Sequence, residues 1–194
     1  QRLWTLAFVL GLVAAWLGTR PSRRDAKVTA VGVALLGACV MSAFWAPALR
    51  WETPASRLVD TRGLTLREGR CVVHLPKELD RDVAFALAKQ CEADVAAAES
   101  ALDITYEDTV TAFFFRSAGE KARLIGARGT YLAKPWRKEV YLQLDTLPHP
   151  VLRHEVTHVV AGVLGPGPFD VAGVMGGLVP NPGLIEGLAT MVAG

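Results

Sequence analysis

Two stretches of the chain carry no charged residue. Residues 3–19 and 28–49 are apolar runs of 17 and 22 positions. At a rise of about 1.5 Å per residue, helices of those lengths reach roughly 26 and 33 Å, against a bilayer hydrocarbon core of about 30 Å. The pattern predicts two transmembrane helices forming a hairpin over residues 1–50. A cleaved signal peptide would account for one run and leave the other unexplained. Because the chain begins at Gln1 rather than Met, further helices upstream are also expected.

After the runs, apolar positions recur at short periods among charged ones. Residues 51–61 are polar and contain Pro54, which predicts a juxtamembrane linker, with the start of a hairpin completing 51–70. Residues 64–67 and 71–75 flank Glu68-Gly69 and read as the two strands of that hairpin. Over 78–102, Leu79, Val83, Leu87, Cys91, Val95, Ala98 and Leu102 fall at steps of three and four, one face of a helix. Residues 109–115 are β-branched and aromatic, as in a buried strand. Ser117-Ala118-Gly119-Glu120 has the spacing of a capping box and opens a short helix through Ile125. Two strands follow, over 130–132 and 139–144. A helix is predicted over 151–164, a Gly- and Pro-rich loop over 165–183 and a last helix from Leu184 onward. Strands and helices mixed in this way predict an α+β domain over 71–194.

Charge separates the same two parts. Residues 1–50 hold 6 Lys/Arg and 1 Asp, and residues 51–194 hold 15 Lys/Arg and 18 Asp/Glu, within a formal net charge of +2. The acidic larger part disfavours nucleic acid as a partner. Arg20, Arg23, Arg24 and Lys27 lie between the runs, and a loop this basic stays on the cytoplasmic side. The membrane is thus one expected partner, and everything after Arg50 is expected outside the cytoplasm, on the periplasmic or extracellular side. Cys71 and Cys91 then have two readings: a disulfide, or two buried thiols that behave as small hydrophobes.

The densest chemistry lies where charge is sparsest. Residues 151–194 contain four charged side chains: Arg153, Glu155, Asp170 and Glu186. His154-Glu155-Val156-Thr157-His158 is H-E-x-x-H on a predicted helix, and residues four apart project from one helical face. Two imidazoles placed so can hold one Zn²⁺. Glu155, one step round, is placed to take a proton from a water that the metal activates and to hand it to a leaving amine. A third protein ligand is needed, with a fourth position left open. Ala161 and Leu164 occupy the places where an extended H-E-x-x-H-x-x-G-x-x-H pattern has Gly and His, which excludes that class. Asp170 and Glu186 remain, and Glu186, in Ile185-Glu186-Gly187-Leu188-Ala189 at a helix start, is the stronger. His149 reads as a turn residue, Asp170 as a loop residue or a partner that orients a ligand histidine, and His74 as structural. Tyr131 and Tyr141 could each reach a cleft or simply pack.

His154-Glu155-Val156-Thr157-His158 followed by Glu186-Gly187-Leu188-Ala189 resembles the gluzincin metallopeptidases, most closely their minimal peptidase MA-like domains. The resemblance covers roughly residues 71–194. It implies a mixed sheet with an active-site helix and a ligand helix, zinc held by His154, His158 and Glu186, and Glu155 as general base. It implies a peptide or protein substrate paired with an edge strand near residues 129–132. Many members have Trp where this chain has Gly183, and the Tyr or His that steadies the oxyanion in many relatives is expected after Gly194. The expected function is a membrane-anchored zinc peptidase. An intramembrane metalloprotease and a non-catalytic zinc-binding or sensory membrane module are the alternatives.

Overall fold

The computed structural model describes residues 11, 30–35, 37–38, 41, 53–165, 170–175 and 179–194, with the side chains of 174, 175, 179 and 180 left aside. The chain divides into two compact units, Gln1–Pro54 and Ala55–Gly194. In the first, residues 30–35, 37–38 and 41 are helical, and Val31, Val33 and Met41 are exposed. Among the described residues no helix is long and apolar enough to cross a membrane. The expected transmembrane pair therefore gains no support. The run 3–19, apart from Gly11, and much of the run 28–49 lie outside the described residues.

The second unit is α+β. It begins with α1 (Ala55–Arg62), a helix where the polar composition predicts linker. Leu58 explains the difference. Its side chain is fully buried against Phe113, Phe115 and Tyr141, a contact that exists only once the sheet is built. The hairpin follows as expected, with β1 (Gly63–Glu68) antiparallel to β2 (Cys71–Pro76). Gly69 turns it at φ +52°, where a Cβ would stand 2.5 Å from the Glu92 carboxyl carbon.

Helix α2 (Arg81–Leu102) starts one residue after Asp80, whose carboxylate accepts the amides of Asp82 at 2.9 Å and Val83 at 3.3 Å. Strand β3 (Val110–Phe115) and helix α3 (Ala118–Ile125) come next. Ser117 Oγ accepts the Glu120 amide at 3.2 Å, and the Glu120 carboxylate accepts the Arg116 amide at 2.7 Å, one residue earlier than a standard capping box. Strand β4 (Leu132–Lys134) lies two residues beyond its predicted place, and a 3₁₀ turn over Pro135–Arg137 leads to β5 (Glu139–Gln143). Helix α4 (Leu152–Val160) tightens into a 3₁₀ turn at Ala161–Leu164. Two short strands, β6 (Val174–Met175) and β7 (Val179–Pro180), pair within the segment predicted as loop, and α5 (Pro182–Ala193) follows.

The sheet runs β1-β2-β3-β5-β4, with β2, β3 and β5 parallel and β1 and β4 antiparallel at its two edges. Alternation along β3 sorts the core. Ala112 and Phe114 point to the side where α2 and α4 pack, with Val73, Val140, Leu142 and Val156. Phe113 and Phe115 point to the side covered by Leu58 of α1 and flanked by Leu124 and Ile125 of α3. Cys71 of β2 and Cys91 of α2 are joined by a disulfide, with their Cα atoms 6.0 Å apart, which resolves the choice between bridge and free thiols.

Candidate metal centre

Helix α4 is fixed from three directions before any ligand is considered. Leu152, Val156, Val159 and Val160 are fully buried beneath it. Arg153 donates from Nε to Asp94 of α2 at 2.9 Å, and Thr157 Oγ1 donates to the Arg153 carbonyl at 2.7 Å. Asp94 is almost wholly buried, and burial raises its pKa above the ordinary value against the opposing pull of Arg153. Just before α4, the Gln90 side chain accepts the His149 amide at 2.7 Å and donates to the His149 carbonyl at 2.9 Å. His149 Nε2 lies 2.9 Å from the Gln143 carbonyl, which can only accept, so the ring proton sits on Nε2. His149 thus anchors the turn into α4, as its position before the helix suggests.

His154 and His158 turn their Nε2 atoms toward each other at 3.2 Å, with the rings near perpendicular at 85°. Glu186, in the first turns of α5, brings Oε2 to 3.2 Å from His154 Nε2 and 3.7 Å from His158 Nε2. These three residues are a group able to hold a metal ion, each offering one ligand atom. Metal bonds of about 2.0–2.1 Å in a tetrahedron place ligand atoms about 3.3 Å apart. The observed separations lie close to that value, and two imidazoles with one carboxylate are a donor set that suits zinc. Burial lowers the pKa of His158, which favours the neutral ring that a metal requires.

Glu155 is 7% exposed and lines the same cleft without joining the three ligand atoms. Burial, helped by the charge of Glu186 and opposed by that of Lys121, pushes its pKa up to about 7. The cleft has a volume of about 430 Å³. Residues 130–133 and Trp136 line it, as do Ile185, Leu188 and Ala189 of α5 and Val171 and Ala172. Strand β4 is the last strand in the order of the five-stranded sheet among the described residues.

The remaining candidates fall elsewhere. Asp170 binds Lys138 Nζ at 2.9 Å and touches neither ligand histidine, so it fastens a loop. His74 contacts Thr65 Oγ1 at 2.9 Å and stacks on Phe113, on the far side of the sheet, and burial lowers its pKa. Tyr141 is stacked on Phe113 on that far side, whereas Tyr131 lines the cleft. Local pattern does not reveal Lys121. It is fully buried and donates to Gln143 Oε1 at 2.7 Å. Only the packing of α3 against the sheet brings it near Glu155.

Compared with models of protein families, with curated proteins and with solved structures, the chain matches none of them. The reading of the site therefore rests on its own residues.

Proposed function

We propose that the chain is a zinc-dependent peptidase. The observation that carries this reading is the convergence of His154, His158 and Glu186 on one point of a cleft that also contains the buried carboxyl of Glu155. His154, His158 and Glu186 would hold the ion, which when bound supplies a Lewis acid able to polarise a carbonyl and activate water. Glu155 then works as the proton carrier. Its apolar surroundings favour the neutral carboxylic acid once a proton has been taken up, and the same group can pass that proton to the departing amine. Strand β4 lies at the end of the sheet, where an extended peptide could be added as a further strand, so a polypeptide substrate suits the cleft better than a compact small molecule.

The disulfide between Cys71 and Cys91 favours an oxidising compartment for this unit, in keeping with a domain held outside the cytoplasm. Membrane anchoring rests on the two uncharged runs alone. A site within the bilayer is the weaker alternative, since α4 has nine residues and reaches about 14 Å. A zinc-binding module without turnover is separated by experiment. The full chain, loaded with zinc, is expected to cleave a quenched peptide library. Glu155→Gln is expected to keep one zinc per chain and lose about 100- to 10,000-fold in rate. Equal cleavage by both proteins would remove Glu155 as the base, and stoichiometric zinc without cleavage by the wild type would favour the non-catalytic module.

A further inference from the structure

Lys121, Gln143 and Tyr131 form a directed chain of contacts that ends at the cleft. Lys121 is 0% exposed, and among the described residues no carboxylate lies within ion-pair distance of it. An ammonium can only donate, so the Gln143 oxygen must face Lys121, at 2.7 Å. The Gln143 amide nitrogen then faces Tyr131 and donates to its phenol oxygen at 3.0 Å. The Lys121 ammonium also lies over the Tyr131 ring, 4.7 Å from its centroid, and the His149 ring meets the same ring edge-on at 6.2 Å. The phenol is thereby held as an acceptor toward Gln143, and its own hydrogen has no acceptor among the described residues. Tyr131 lines the cleft together with Glu155 and His154.

We propose that Tyr131 donates this hydrogen to the substrate, to the carbonyl oxygen that becomes negatively charged as the carbon turns tetrahedral, and that Gln143 and Lys121 are positioning residues for it. The proposal rests on the peptidase reading above. A hydrogen bond aimed at an oxygen that gains charge is stronger in the transition state than in the bound substrate, which is what accelerates a reaction. Burial, with the charges of Asp145 and Glu155, raises the Tyr131 pKa, so the phenol keeps its proton and remains a donor.

The test uses the zinc-loaded full chain and a phosphinic tripeptide, whose charged oxygens imitate that tetrahedral carbon. Calorimetry on Tyr131→Phe is expected to show unchanged zinc stoichiometry and about 10- to 100-fold weaker phosphinate binding. The unmodified form of the same tripeptide should lose less than threefold. A second measurement avoids the Tyr131→Phe substitution. The chain has three tyrosines, and with fluorotyrosine incorporated the ¹⁹F resonance of Tyr131 should shift on phosphinate addition while those of Tyr106 and Tyr141 stay in place. Phosphinate affinity within twofold of wild type, or a Tyr131 resonance that does not move, overturns the proposal and leaves the peptidase reading standing. Failure of the wild-type chain to bind zinc or the phosphinate overturns both.

Discussion

The two helices that meet at the candidate metal centre are held in very different ways. Helix α4 carries His154, Glu155 and His158 on a platform of buried side chains, braced by Arg153–Asp94 and resting on the face of the sheet that α2 also covers. Helix α5 brings Glu186 to the same point from a more open position. Only Ala189 and Val192 are buried along it, Leu184 and Met191 are about half exposed or more, and the Glu186 side chain is 62% exposed. The contrast suggests a division of labour. The platform holds the two imidazoles and Glu155 by buried packing, whereas the exposed Glu186 side chain has little packing to hold it where it stands, and on the proposed reading a bound ion would add that restraint.

The largest effect expected from this difference is on stability. Leu152→Ala removes a fully buried side chain from beneath α4 and should cost about 2–5 kcal/mol, measured by denaturant unfolding. Leu184→Ala removes a half-exposed side chain from α5 and should cost less than about 1 kcal/mol. Equal losses from the two variants would erase the comparison.

The brace on α4 predicts a pH signature. Asp94 has a folded pKa above its ordinary value, so its ionisation opposes folding. The stability associated with its neutral form is fully present below the unfolded pKa and is lost as pH rises through the folded one. Arg153 offsets part of that loss by its hydrogen bond and charge. Arg153→Ala should therefore cost little near pH 3, where the carboxyl is protonated in both states. The cost should grow through the carboxyl range to about 1–3 kcal/mol at neutral pH, somewhat less in high salt because Arg153 is partly exposed. A deficit in unfolding free energy that is flat with pH would show that Arg153 acts through packing alone.

The same contrast explains what could be read from the chain beforehand. His154, Glu155 and His158 are bound to one another by helical spacing, so their geometry follows from sequence once α4 is granted. Glu186 lies 28 residues beyond His158, and in the sequence only its Glu-Gly-Leu-Ala motif singles it out. Helix α2 and strand β3 were visible because their apolar periods are long and regular. Helix α1 was not, since its eight residues carry only Leu58 and Val59 as large apolar side chains, and the aromatic surface that buries Leu58 comes from β3 and β5. The pair β6 and β7 is too short to leave any period. Lys121 left no local sign either, because a lysine in an amphipathic helix ordinarily reads as solvated. Its burial depends on Gln143 and Tyr131, which come from other elements.

The smallest effect sets α5 against α2, which packs on the same sheet face as α4, because both helices start from a side-chain cap whereas α4 has none. Asp80 caps the platform helix α2, and Asn181 caps α5 by accepting the Leu184 amide at 3.2 Å. Replacing either cap by alanine costs about 1 kcal/mol in its helix. In α2 that cost falls on an element whose apolar face is part of the main core, so Asp80→Ala should lower global unfolding stability by about that amount and leave zinc affinity unchanged. In α5 it falls on an element that a bound ion would help to hold. Asn181→Ala should leave global stability within about 0.5 kcal/mol of wild type and weaken zinc binding about fivefold in competition with a chelator. The reverse assignment, with Asn181→Ala lowering global stability and sparing zinc affinity, would mean that α5 is as much a part of the platform as α4, and that Glu186 is in place before the metal arrives.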